Sequence, residues 1–235
     1  MNGYNKPSFL IKENGNYTLR SRNGKTLSFS ISDIDKPLEI KGPWQLTLPP
    51  NLGAPSAVTL PDLISLHTHG IDGVRYFSGT ATYTKKFLFS TKASVNKRYF
   101  LDLGRVEVIA EVKLNEKDFG ILWKRPYQID VTSALKDGLN DLVIKVTNLW
   151  PNRLIGDEQL PDPDKFAPGG NASGLEGLTG GYIEQLPDWY IRNGQKPNNG
   201  RVCFSTWKHY LKTSPLLESG LIGPVTIQQA IAKQI

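Results

Sequence analysis

Between Thr80 and Asn148 apolar and polar side chains alternate with a period of two. Ala81, Tyr83, Phe87 and Phe89 are opposed by Thr80, Thr82, Thr84 and Lys86, with Lys85 the one break on the apolar side. Tyr99, Leu101 and Leu103 alternate with Phe100 and Asp102, and Val108, Ala110, Val112 and Leu114 face away from Glu107, Glu111 and Lys113. Phe119, Ile121 and Trp123 follow the turn Asn115-Glu116-Lys117-Asp118, and Leu142, Ile144 and Val146 oppose Lys145 and Thr147. Successive side chains on a strand point to opposite faces, so this run predicts antiparallel strands covered on one side only. Asp130 to Gly138 interrupts it with capping side chains at the start and a glycine at the end, which predicts one short helix.

Outside this run the pattern weakens in two places. Residues 1–40 read as a peripheral segment, in which Asn14-Gly15-Asn16 and Asn23-Gly24 are hairpin turns beside short strands at Tyr17–Arg20 and Thr26–Ser30. Residues 41–235 form the main domain, beginning with a brief strand at Trp44–Leu48 between turn signals. From about 150 to 200 periodicity fails in a proline- and glycine-rich loop excursion, although Trp150, Leu154, Ile155, Tyr182, Trp189 and Tyr190 argue that it is ordered. Order returns at Arg201–Trp207, and Gly223–Ile227 supplies the closing strand. About eight to ten short strands and one small helix predict an all-β, jelly-roll-like β-sandwich with long loops.

Composition removes several functions. The 235 residues carry a formal charge of +6, but the basic side chains are scattered, and the densest run, Lys92 to Arg98, has no interleaved aromatics. A nucleic-acid partner is therefore not expected. No stretch approaches the ~20 apolar residues of a membrane span. The first residues, MNGYNKPSFLIKENGNY, lack the charged-then-apolar pattern of a signal peptide. Cys203 is the single cysteine and lies in the apolar run Val202-Cys203-Phe204, which predicts a buried, inert thiol. The sequons Asn16-Tyr17-Thr18 and Asn171-Ala172-Ser173 matter only in a secretory pathway.

Candidate chemistry is sparse. His67 and His69 lack a third nitrogen or sulfur ligand nearby and read as solvent-facing loop residues, and His209 reads as a packing residue. Asp157, Glu158, Asp162, Asp164, Glu176 and Glu184 are loop carboxylates. Glycosidases use such groups in pairs, but a solvated loop, with room for a structural calcium ion, is the plainer reading. No other cofactor or metal site is expected. Sugars are held by aromatic faces and by planar polar groups that pair with hydroxyls. Arg75 and Tyr76 in one loop, Trp150, Asn152, Arg153, Asp157 and Glu158 in another, and Trp189 further on are the carbohydrate-binding candidates. No residue is assigned a catalytic role.

The segments Leu101–Val106, Ala110–Asn115, Gly120–Trp123, Asp130-Val131-Thr132 and Leu135–Asn140 resemble, in that order, the sugar-binding domain of glycoside hydrolase family 2. Phe77–Tyr83, Asn148–Glu158 and Ser219–Val225 look like the C-terminal region of proteins similar to the α-L-rhamnosidases of glycoside hydrolase family 106. Asn115-Glu116 stands where the family 2 pattern has Asn-Gly, which weakens that turn. The resemblance implies a galactose-binding-like sandwich packed on a catalytic barrel that lies elsewhere, in a parent enzyme that is secreted or periplasmic. On that basis the chain is a non-catalytic accessory module, carbohydrate-binding or pocket-lining. The alternatives are a free-standing carbohydrate-binding protein and a hydrolase working through Asp157 or Glu158.

Overall fold

The computed structural model describes residues 8–90, 96–167 and 181–234. Lys92, Asn171 and Glu176, named above, lie outside the described residues. The strands are β1 (Ser8–Ile11), β2 (Gly15–Arg20), β3 (Thr26–Ile31), β4 (Leu38–Glu39), β5 (Trp44–Thr47), β6 (Ala57–Leu60), β7 (Thr80–Phe89) and β8 (Lys97–Asp102). They continue as β9 (Arg105–Glu107), β10 (Ile109–Leu114), β11 (Lys117–Leu122), β12 (Gln128–Asp130), β13 (Gly138–Thr147), β14 (Gly220–Gly223) and β15 (Thr226–Gln234). The helices are short: α1 (Asp72–Arg75), α2 (Pro151–Asp157) and α3 (Asp188–Ile191), with a 3-10 turn at Leu66–Thr68.

Two antiparallel sheets make the sandwich. One runs β11-β10-β13-β7-β5-β6, and the other runs β1-β15-β8-β12 with β4 also paired to β15. The inward residues of the alternating run meet between them: Tyr83 from β7, Val112 and Leu114 from β10, Leu142 and Ile144 from β13, and Leu101 from β8 are all essentially inaccessible. Each such side chain contributes about 1.5–3 kcal/mol on burial, so the period-two stripe is the main stabilising feature of the fold. The architecture is the all-β sandwich expected from the alternation.

The peripheral segment splits. β1 and β4 pair with β15, whose other side pairs with β8, whereas β2 and β3 form a separate hairpin in which Tyr17 stacks on Phe29 with ring centroids 5.6 Å apart. Between hairpin and β4, Asp33 lies 3.6 Å from the buried ammonium of Lys97 and takes a hydrogen bond from Gln229 on its carbonyl at 2.8 Å.

The helical turn expected over Asp130–Gly138 is there, with the Val131 carbonyl accepting N–H groups from Ala134 (3.0 Å) and Leu135 (2.9 Å). Asn140 stops it: its side chain accepts the Lys136 N–H at 2.9 Å and donates to the Lys136 and Gly138 carbonyls, turning the chain into β13. Two local expectations change. The closing strand runs on to Gln234, beyond the expected end at Ile227, because residues 226–231 pair with β8 and residues 231–234 pair with β1. The second change, a helix inside the expected loop, builds the candidate site.

Candidate functional site

Helix α2 starts with Pro151 in its first turn, where a missing N–H costs nothing and the fixed φ suits a helix. Its buried face is mostly polar, which is why hydrophobic periodicity does not reveal it. Asn152, Arg153 and Asp157 are 2%, 5% and 2% exposed. Each is spent on holding the chain. Asn152 donates to the Leu217 carbonyl at 2.7 Å and accepts the Leu217 N–H at 2.8 Å. Arg153 pairs with Asp157 at 3.0 Å, one turn apart. Asp157 accepts the N–H groups of Val202 (3.0 Å) and Cys203 (2.7 Å). Those two donors are thereby diverted from any sheet ladder, and the segment expected to regain strand order at Arg201–Trp207 is irregular, bridged to Tyr182 at Trp207 alone.

The two candidate loops do meet. The Arg153 N–H donates to the Ser78 hydroxyl at 3.2 Å, and Gly156 lies so close to Tyr76 that a Cβ there would fall 2.5 Å from the tyrosine Cβ. Arg75 is occupied locally, donating from Nε to the His69 carbonyl at 3.1 Å and pairing with Asp72 at 3.0 Å. His67 and His69 are half-buried, not solvent-facing: His67 bonds the Ser65 hydroxyl at 2.6 Å, and His69 accepts the Ile71 N–H at 3.1 Å. Trp150 remains 52% exposed at the start of α2.

Beyond the C-terminal end of α2 opens a narrow cleft of about 50 Å³. Of the eight sugar-binding candidates, Asp157, Glu158 and Trp189 line it, and Arg75, Tyr76, Trp150, Asn152 and Arg153 do not. Its remaining charged lining comes from Asp162, Asp164, Lys196, Arg201 and Lys208, and its aromatic wall includes Phe166, Trp207 and Tyr210. Arg201 contacts Glu158 at 2.6 Å and Asp162 at 3.2 Å, while Lys208 lies 3.5 and 3.6 Å from the same two carboxylates and 4.8 Å above the Phe166 ring. Trp189 packs edge-on against Phe204 at 4.9 Å. Burial, reinforced by the neighbouring Asp162, raises the Asp164 carboxyl above its ordinary range. Burial and Asp157 together push the Cys203 thiol up to about 11, which makes it a poor nucleophile.

The added lining residues come from positions 162 to 210, where no periodic pattern places one side chain against another. Arg201 is 43 positions from Glu158, and only the fold brings them together. Among the described residues no group of three or more His, Cys, Asp or Glu side chains is placed to hold a metal ion. The cleft has room for a few waters or for protruding hydroxyl groups, well short of the roughly 300–1,000 Å³ of an enclosing ligand pocket.

Comparison with known proteins agrees with the fold. Over 223 residues the chain is 40% identical to a protein of Formosa agariphila named "Putative beta-glucuronidase", covering 94% of this chain and 18% of that protein. A solved structure of a rhamnosidase from Novosphingobium sp. PP1Y superposes with a TM-score of 0.64 at 31% identity, over 89% of this chain and 16% of that one. The chain thus spans under a fifth of the length of either relative. Residues 66–175 match the family model described as glycosyl hydrolase 2 galactose-binding domain-like. Those matched residues contain α1, the five strands of the alternating run and α2, and over that stretch the chain is similar to the glycosyl hydrolase 2 galactose-binding-like domain.

Proposed function

We propose that this chain is the non-catalytic accessory module of an α-L-rhamnosidase-like glycoside hydrolase, and that its cleft beyond α2 contacts carbohydrate. The carrying observation is the engagement of Asp157 and Glu158, the two carboxylates through which a hydrolase reading would work. A glycosidase pair needs one carboxyl free to give a proton and another free to attack or to activate water. Asp157 is buried on Arg153 and two backbone N–H groups, and Glu158 is shared between Arg201 and Lys208. Both serve as structural anchors. The likeness to the rhamnosidase over nearly all of this chain and a sixth of the enzyme supports a modular role within a larger protein. Trp189, Trp207 and Tyr210 give the cleft the flat apolar faces that pack on sugar C–H groups.

The purified chain, incubated with aryl α-L-rhamnoside and aryl β-D-glucuronide, is expected to release no phenol above the rate of buffer. Turnover that disappears in Glu158→Gln would overturn the reading and make the chain a hydrolase.

A further inference from the structure

Resting on the reading of the cleft as a carbohydrate contact, we infer that it selects neutral, hydroxyl-rich sugar residues and rejects uronic acids. Recognition of a uronate requires a cation free to meet its carboxylate, and the cleft's cations are already engaged. Arg201 and Lys208 are shared by Glu158 and Asp162. The Lys196 ammonium donates to the Arg201 carbonyl and acts electrostatically on Asp164. His209 borders the cleft but is exposed, where water screens a charge.

What the cleft leaves over is suited to hydroxyls. Among the described residues the Asp164 carboxylate accepts no hydrogen bond and closes no salt bridge; burial and Asp162 disfavour its charge more than the weaker attraction of Arg201 and Lys196 favours it. The Trp207 indole N–H is a second opening: it is buried and unpartnered among the described residues. A carboxylate accepts from sugar hydroxyls and an indole N–H donates to them, so the two are complementary halves of a hydroxyl site. The ring itself is too large for the cleft, so it sits at the mouth against the aromatic wall while its hydroxyls reach inward. A uronate placed there brings a second negative charge toward Asp164, which opposes binding.

Calorimetric titration of the full chain at pH 8 with methyl α-L-rhamnoside, methyl β-D-galactoside and methyl β-D-glucuronide tests this, with Asp164→Asn and Asp164→Ala alongside. The neutral glycosides are expected to bind at least about tenfold more tightly than the glucuronide, a difference of ~1.4 kcal/mol. Asp164→Asn should narrow that ratio by relieving repulsion of the uronate, and Asp164→Ala should weaken the neutral sugars several-fold. Glucuronide binding equal to or tighter than that of the neutral glycosides overturns the inference and leaves the carbohydrate reading standing. Heat from none of the three sugars overturns both.

Discussion

At the scale of single residues, buried amides and carboxylates define the turns of this sandwich. Asn140 is wholly inaccessible and also takes a hydrogen bond from the Asn115 side chain at 2.6 Å, so one amide joins the turn before β13 to the β10–β11 hairpin. The hairpin itself carries a cost. Glu116 stands at φ 70°, a left-handed conformation that a side chain disfavours and glycine adopts freely. Glu116→Gly should therefore raise stability by about 0.5–1 kcal/mol in chemical denaturation, after the added entropy of the unfolded chain is offset. An unchanged midpoint would mean that the turn is not strained. Cys203 gives a pH prediction. Its folded pKa of about 11 lies above the ordinary thiol value. The protonated thiol therefore favours the fold, and this contribution is present below about pH 8.5 and is lost as pH rises through 11. At pH 8 only roughly one thiol in a thousand is ionised, so iodoacetamide should label the native chain far more slowly than the chain unfolded in guanidinium. Equal rates would contradict the burial.

At the scale of elements, α2 is a clasp, and its strength lies in one carboxylate. Asp157→Asn leaves a buried Arg153 without its counter-charge, and breaking such a pair costs about 3–5 kcal/mol. The variant should also lose hydrogen-exchange protection at the amides of Val202 and Cys203 while β7 and β13 keep theirs. Asp188→Asn, which removes an exposed ion pair with Arg192 at 3.6 Å, should cost under about 1 kcal/mol. Equal effects of the two substitutions would show that α2 does not hold the 201–203 segment. This contrast also explains what the sequence made legible. β7, β8, β10 and β13 follow from alternation because their stability comes from apolar burial on one face; β11 forms where alternation places it, but Ile121 and the following Trp123 are 60% and 67% exposed, so its expected apolar face is not buried. α2 and the cleft do not, because polar side chains bury them through hydrogen bonds to backbone far along the chain. Asp157 reaches residues 45 and 46 positions away, and side-chain periodicity carries no trace of such a bond. Of the eight sugar-binding candidates, the tryptophan at 189 and the acids at 157 and 158 share a cleft, and Asn152 and Arg153 turn inward instead.

At the scale of the whole molecule, two sheets form the support, α2 is pinned to residues 78, 202–203 and 217, and residues 158–167 and 181–210 bring an ion-pair cluster and aromatic side chains together in the cleft. Residues 66–175 match a glycosyl hydrolase 2 galactose-binding-like domain and the chain spans under a fifth of the length of its relatives, so the proposed role is contact with sugar in the service of chemistry done elsewhere. The most direct test is a two-dimensional NMR titration of the isotopically labelled chain with methyl α-L-rhamnoside. Shift changes are expected at the Trp207 indole and at the amides of Glu158, Asp164 and Lys208, with the amides of β7 and β13 unmoved. Changes confined to Arg75 and Tyr76, or no change while the spectrum remains that of the folded chain, would contradict a carbohydrate-contacting cleft beyond α2.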